Sequence, residues 1–334
     1  MLRVVVRRLL QMVLTLFVLS VLMFAWLRNL PGGPVLAMLG ERATPERVAA
    51  LRRQFGYDQP LWVQYGRWIS RMLTGDFGTS TRSGLPVRAE LSQAFPGTIE
   101  LSLFALVVAV ALGIPLGYIA ARYQGRLLDS TVIIGTLVGV SVPVFFLGYL
   151  LKQGIAVDLA WLPPSGRQSV TTDATHITNF FVLDGLLTRE WDAAADAFVH
   201  LILPGLTLST IPLAIITRIT RASVLDVFHE DYVRTAEAKG LRRQTIRTRH
   251  VLRNALLPVV TAIGLLTAAL LSGAVLTESV FVFRGLGWLL AEGITARDYP
   301  RLQAMIMLAA AVYVVVNLIV DLSYAIIDPR VRVK

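Results

Sequence analysis

Few residues in this 334-residue chain have the types and spacing that chemistry needs. It contains no cysteine, which excludes thiolate metal sites, iron–sulfur clusters and disulfide frameworks. His176, His229 and His250 fall in loops without metal-ligand spacing. A phosphate-cradling loop requires Gly-Lys followed by Ser or Thr, and none of Lys152, Lys239 or Lys334 precedes a hydroxyl residue. The chain therefore does not bind ATP by such a loop and is not expected to be an enzyme. What stands out instead is a contact feature. Thr235, Ala236 and Gly240 make a small-residue corner within a strongly basic stretch, where the surface of another protein could approach closely.

The elements that carry this corner are membrane helices. Apolar residues make up 55% of the chain and charged residues 16%, against about 45–50% and 25% in soluble domains. A hydrocarbon core about 30 Å thick needs roughly 20 apolar residues per helix. Six runs qualify, at Leu9–Leu27, Ile99–Ala120, Thr131–Val157, Phe198–Ile219, Leu256–Leu276 and Leu302–Ile326. The fold class expected is an all-α integral membrane protein with six spans. Gly135, Gly139, Pro143 and Gly148 interrupt the third run, and Pro204 and Pro212 the fourth. Freed backbone groups need protein or water partners, so both spans are expected inside a bundle.

Arg3, Arg7 and Arg8 precede the first run as in a signal peptide. The run is too long for one and no small-x-small site follows before Pro31, which predicts a retained anchor. Arg122 and Arg126, the arginines from Arg218 to Arg253, and Arg330, Arg332 and Lys334 share a side with the amino terminus. Asp158–Val199 is acid-rich. The positive-inside rule places both termini in the cytoplasm. The net charge of +10 serves this orientation, and no nucleic-acid partner is expected.

Two segments exceed what a bare bundle requires. Residues 31–97, after a first span at 1–30, hold Phe55, Tyr57, Trp62, Tyr65, Trp68 and Phe77, with Gly56, Gly75 and Gly78 as turn punctuation. Thr44 and Pro45 read as a helix cap and first position, and Leu61, Tyr65, Trp68 and Met72 share one helical face. The reading is a small external subdomain. Within the remaining five-helix core at 98–334, loop 222–255 reads as an amphipathic helix Ala222–Lys239 ended by Gly240, then a basic helix Leu241–Asn254 with Pro258 opening the next span. Among polar and kinking residues within spans, Ser141, Pro143, Pro204, Ser209, Pro212 and Asn317 either line a translocation path or serve helix packing. His200 and Glu278, near outer span ends, are candidates for a gate rim. Paired ionisable residues in mid-span, which a secondary transporter or intramembrane enzyme would need, are missing.

At the basic corner the sequence resembles ABC importer permeases. Arg234-Thr235-Ala236, then Gly240, then Leu257-Pro258 are similar to that family's loop signature, with Arg234 in place of its Glu. Asp231 through Ala236 follows the form of its peptide-importer branch. Arg7-Arg8-Leu9-Leu10, Pro31-Gly32-Gly33-Pro34, Tyr57-Asp58-Gln59-Pro60-Leu61, Gly75-Asp76-Phe77-Gly78, Trp161-Leu162-Pro163, Thr277-Glu278-Ser279-Val280-Phe281 and Arg297-Asp298-Tyr299-Pro300 resemble the first (B-type) permease of dipeptide and oligopeptide importers. Gly33 and Arg284 depart from the usual Asp and Pro. Both lie outside the cytoplasmic loop and so bear on substrate details.

The resemblance implies a permease of the prokaryotic cytoplasmic membrane that imports peptides. The alternative is the same scaffold carrying another solute, such as a nickel chelate, glutathione or an oligosaccharide. It implies that Arg234, Thr235, Ala236, Glu237, Lys239, Gly240 and Leu241 form the loop coupling transport to ATPase. It also implies a second homologous permease, one or two ATPase subunits with two nucleotide-binding domains that hold ATP and Mg, and an extracytoplasmic substrate-binding protein received partly by the external subdomain. No cofactor is expected on this chain.

Overall fold

The computed structural model describes residues 2–29, 35, 36, 39, 43–271 and 274–327. The Pro31-Gly32-Gly33-Pro34 turn and the basic carboxy-terminal tail lie outside them. Among the described residues every regular element is helical, and the only strand-like pairing is an isolated bridge between Thr79 and Pro86. Among the described residues five helices are long and apolar enough to cross a membrane, and the count reaches six when one bent pair is taken as a single span.

Helix α1 (Leu2–Arg28) is the first span. Two short helices follow, α2 (Pro45–Phe55) and α3 (Leu61–Leu73). The start of α2 follows the sequence expectation: the Thr44 hydroxyl accepts from Arg47 N at 3.4 Å and Pro45 takes the first position. It ends on Gly56 at φ 70°, a left-handed conformation that costs glycine little, with its N–H bonded back to Arg53 O at 3.1 Å. On α3, Tyr65 and Trp68 pack with Phe24 of α1, with centroid distances of 5.4 and 5.8 Å. Leu61, read onto the same face, is instead 60% exposed.

The bundle proper begins with α4 (Val87–Arg122), 36 residues, and continues to α5 (Leu127–Ser141). The third span then breaks. Pro143 lacks the N–H that a continuing helix needs, and Val144–Asp158, α6 (Val144–Leu151) with its π-helical continuation, leaves α5 at 99°. The stretch expected as a third span inside the bundle is thus bent at Pro143, and most of it is exposed on this chain. Before the break, α5 carries Ile134, Leu137, Val138 and Val140 exposed on this chain. The fourth span does lie inside the bundle: α8 (Trp191–Phe228), preceded by α7 (Phe181–Thr188), has 56% of its apolar window buried.

Small residues let α4 and α8 run side by side. A Cβ at Gly117 would lie 2.5 Å from Thr217 O, and one at Gly113 would lie 2.9 Å from Ile216 Cγ2. After α9 (Asp231–Ala238), α10 (Arg243–Leu271) forms the fifth span with a π-helical turn at Ile246–Leu252 and Pro258 within it, not at its start. Two short helices, α11 (Val275–Val280) and α12 (Leu286–Ala296), lead to α13 (Tyr299–Ile327), the last span.

Candidate functional site

The loop joining the fourth and fifth spans is the part of the chain that presents an organised, exposed face. Its helix is not the continuous Ala222–Lys239 that the apolar spacing predicts. The chain leaves helical geometry at His229–Glu230, with Glu230 extended at φ −73° and ψ 140°, and α9 restarts at Asp231. The packing gives the reason. The restart turns Val233 and Ala236 inward against Val224, Ile246, Val251 and Ala255. Tyr232 is 39% exposed and its hydroxyl accepts from Asn254 Nδ2 at 2.9 Å.

Ala236 is therefore not part of an outer corner: only 4% of it is exposed, and it anchors α9 to the bundle. The outward face is made by Arg234, Thr235, Glu237, Lys239, Gly240 and Leu241, all exposed. Gly240 ends the helix at φ 71°, its N–H bonded to Glu237 O at 2.9 Å and that of Leu241 to Ala236 O at 3.3 Å. A Cβ there would meet nothing within 4 Å, so the chain's own packing leaves this point open. The Arg234–Asp231 pair, at 3.9 Å between well-exposed side chains, contributes little to stability.

The root under this face is held by an ion pair between helices. Arg221 of α8 grips Asp129 of α5 with a two-pronged fork, Nε to Oδ1 at 2.7 Å and Nη2 to Oδ2 at 2.8 Å. Asp129 also accepts from Gly125 N at 3.0 Å. The loop between α4 and α5 is thereby tied to the base of α8, and Tyr118 of α4 meets Phe228 edge-on at 6.4 Å.

At the opposite end of the bundle, buried charges that sequence spacing did not reveal fix the loops. Arg167 donates to Glu100 Oε2 at 2.9 Å, Asn179 O at 2.7 Å and Gln93 O at 3.1 Å, and stacks 3.8 Å from the Phe181 ring centre. A side chain at Gly97 would collide with its guanidinium. Burial pulls the Arg167 guanidinium below its ordinary range, against the pull of Glu100. Arg301 bonds Glu90 at 2.7 and 2.9 Å and Glu292 at 2.8 Å. Asp298, wholly buried beside it, accepts from Ser80 Oγ at 2.5 Å. Of this network, only the Arg297–Pro300 motif had a sequence signal.

Glu278 and His200, expected at a gate rim, are instead enclosed. Glu278 is wholly buried, because α11 folds back under α12. Its Oε1 accepts from Thr98 Oγ1 at 2.8 Å and its Oε2 from Trp288 N at 2.9 Å, while Thr98 Oγ1 accepts from Leu286 N. Burial pushes its carboxyl up to about 7, outweighing the hydrogen bonds and the nearby Arg167 charge. His200, 6% exposed, holds Nδ1 2.8 Å from Asp196 O of its own helix.

The residues read as path-lining are not brought to one surface. Ser141 and Pro143 are exposed at the 99° bend, and the Ser141 hydroxyl donates to Leu137 O at 2.8 Å. Pro204, Ser209 and Pro212 are buried along α8, with the Ser209 hydroxyl donating to Leu206 O at 2.8 Å. Asn317 is half-buried on α13. Within this chain, then, these hydroxyls satisfy their own helices. No group of three metal-ligating side chains occurs among the described residues.

Comparison with known proteins places the whole chain among transport components. Residues 113–333 match the family described as "Binding-protein-dependent transport system inner membrane component", and residues 1–102 match its amino-terminal counterpart. The chain is 43% identical over 338 residues to the dipeptide transport system permease protein DppB of Escherichia coli K12, covering 100% of both. It is 40% identical to the DppB of Alkalihalophilus pseudofirmus, over 99% of this chain and 100% of that one. It is also 39% identical to the glutathione transport system permease protein GsiC of Salmonella paratyphi A, again over 100% of both.

Proposed function

Because the chain belongs to the binding-protein-dependent transport inner-membrane components, we propose that it is the B-type transmembrane permease of an ATP-driven importer of di- and oligopeptides. The dipeptide permeases it resembles over its full length support peptide as the solute. The amino-terminal residues and the face around α9 lie on the cytoplasmic side in this reading, following the arginine asymmetry of the short loops.

The reading is carried by α9. It is a short helix held from within by Val233 and Ala236, with an exposed outer face and a root clamped by the Arg221–Asp129 fork. Such a helix, seated in a cleft of an ATPase subunit, moves as a rigid body with that subunit and passes the displacement to α8 and α10. Arg234, Thr235, Glu237, Lys239, Gly240 and Leu241 make the contact, while Ala236 holds the helix in register. ATP and Mg reside on the ATPase partners. A second, homologous permease covers the exposed apolar face of α5 and closes the path between the two. Residues 31–97 help receive the substrate-binding protein.

The test is reconstitution. The chain, co-purified with its partners, is placed in vesicles and uptake of labelled dipeptides and of glutathione is followed with and without ATP. ATP-dependent entry of dipeptide is expected. Peptide entry through this chain alone, with no ATPase subunit present, would overturn the reading.

A further inference from the structure

At the end of span 1 opposite the amino terminus lies a cavity of about 930 Å³, bounded by α1, the end of α2 and the turn after it, α3 and the segment after it, and the start of α13. Its charged lining is lopsided, with Arg28, Arg67 and Arg71 against Asp76 alone among the described residues. Asp76 is committed to Arg71, whose Nε donates to it at 2.8 Å. Arg67 has no carboxylate partner among the described residues, and one of its guanidinium nitrogens reaches to within 3.1 Å of where a Cβ on Gly56 would sit.

Arg28 is a built element and not a stray surface charge. Its guanidinium lies 4.8 Å from the Phe24 ring centre and 4.3 Å from that of Tyr57. Its position is fixed by a hydrogen bond to Gln64 Oε1. Gln64, itself 8% exposed, is in turn held by its Nε2, which donates to Tyr57 O at 3.0 Å and Gln59 O at 2.7 Å. A guanidinium carries five N–H donors in a fixed fork. Gln64 takes one, and since Arg28 lines the cavity its other donors are left for a planar or tetrahedral oxyanion.

The depth of the cavity narrows the ligand further. Arg28 closes a membrane span and Pro300 and Gln303 open another, so the cavity sits at the boundary between hydrocarbon and water. Trp26 and Trp62, 58% and 76% exposed, stand in the same zone, as interfacial tryptophans do. Oxyanions concentrated at that depth are lipid phosphodiesters, and basic pockets between membrane helices suit such head groups.

We propose that this cavity is a phosphate-binding site for the head group of an anionic phospholipid, with Arg28 as the oriented fork and Arg67 as a second cation. None of its lining residues belongs to the coupling face, and it does not depend on peptide being the solute.

The test uses the full transporter complex in mixed micelles holding equal amounts of phosphatidylglycerol and phosphatidylcholine, with retained lipid counted by native mass spectrometry. Wild type is expected to retain phosphatidylglycerol preferentially. Arg28→Gln should lower that preference about tenfold, as for a lost charge-assisted bond. Arg67→Gln should lower it about threefold, as for an exposed charge. Arg52→Gln, exposed and outside the cavity, should leave it unchanged. Should Arg28→Gln fail to fold, Arg67→Gln carries the test.

A parallel titration with inorganic phosphate separates the sources. Phosphate that protects the complex against heating only when Arg28 and Arg67 are intact, with the two lipids retained equally, assigns the site to free phosphate. Equal lipid retention without any phosphate effect, or a phosphatidylglycerol preference that survives both cavity variants, overturns the site.

Discussion

Glu278 offers a quantitative handle on how the two ends of the bundle are held. It lies between the fifth and sixth spans, wholly buried, with a carboxyl pushed from the ordinary 4.5 to about 7. The raised value means that the folded chain holds this proton more tightly than the unfolded chain does. The stabilisation is therefore complete below pH 4.5, shrinks as the unfolded carboxyl ionises, and is gone above about pH 7. At about 1.4 kcal/mol per pH unit the window corresponds to about 3 kcal/mol.

Glu278→Gln keeps the shape and removes the ionisation. In a thermal melt of the purified complex in detergent, the midpoint of wild type should fall, relative to that of Glu278→Gln, by roughly 6 °C between pH 4.5 and 7.5. Above pH 7.5 the two curves should run parallel. The variant controls for every other titrating group, Arg167 and its partners included. Parallel curves across the whole range would refute the reasoning, because the carboxyl would then have the same proton affinity folded and unfolded.

Three further outcomes follow from other sites. Gly240→Trp should cut ATP-driven peptide uptake at least about tenfold, since a side chain at φ 71° costs about 1–2 kcal/mol and projects into the contact face. Gly240→Asn, which tolerates that conformation, should retain most uptake, and equal uptake by both variants in vesicles would detach Gly240 from coupling. Arg301→Met strands the buried carboxylates of Glu90 and Asp298 and should cost about 3–5 kcal/mol of stability, read by melting. A change within about 0.5 kcal/mol would show that the carboxylates do not depend on the arginine. A double-mutant cycle on Asp129→Ala and Arg221→Ala should return a coupling energy of about 1–3 kcal/mol, and a value near zero would mean that the fork does not clamp the root.

Much of the architecture can be read along the chain, because lipid demands a simple local pattern. The apolar runs mark the five long membrane helices and the bent pair, the Thr44-Pro45 pair marks the start of α2, and Gly240 marks the end of α9. What escaped depends on partners far off in sequence. Arg301 and Glu90 stand 211 residues apart and Arg221 and Asp129 stand 92 apart, so no periodicity announces either pair. Glu278 looked like a rim residue because it follows an apolar run, and only the fold-back of α11 under α12 encloses it. Ala236 was misplaced for a related reason. Its small size suited an outer corner, but it packs in the same cluster as Leu225 and Phe228 and so faces the bundle.

The length of α8 has a mechanical consequence. Its 38 residues make a rod about 57 Å long, nearly twice the roughly 30 Å of hydrocarbon it crosses. Glycines at two successive turns of α4 let a second long helix splint it. Such a splinted rod acts as a lever. A swing of about 5° about one end carries the other through about 5 Å, close to one helical turn. A displacement small enough to leave every side chain at the base in its rotamer is thus large enough to reset contacts across the whole thickness of the membrane.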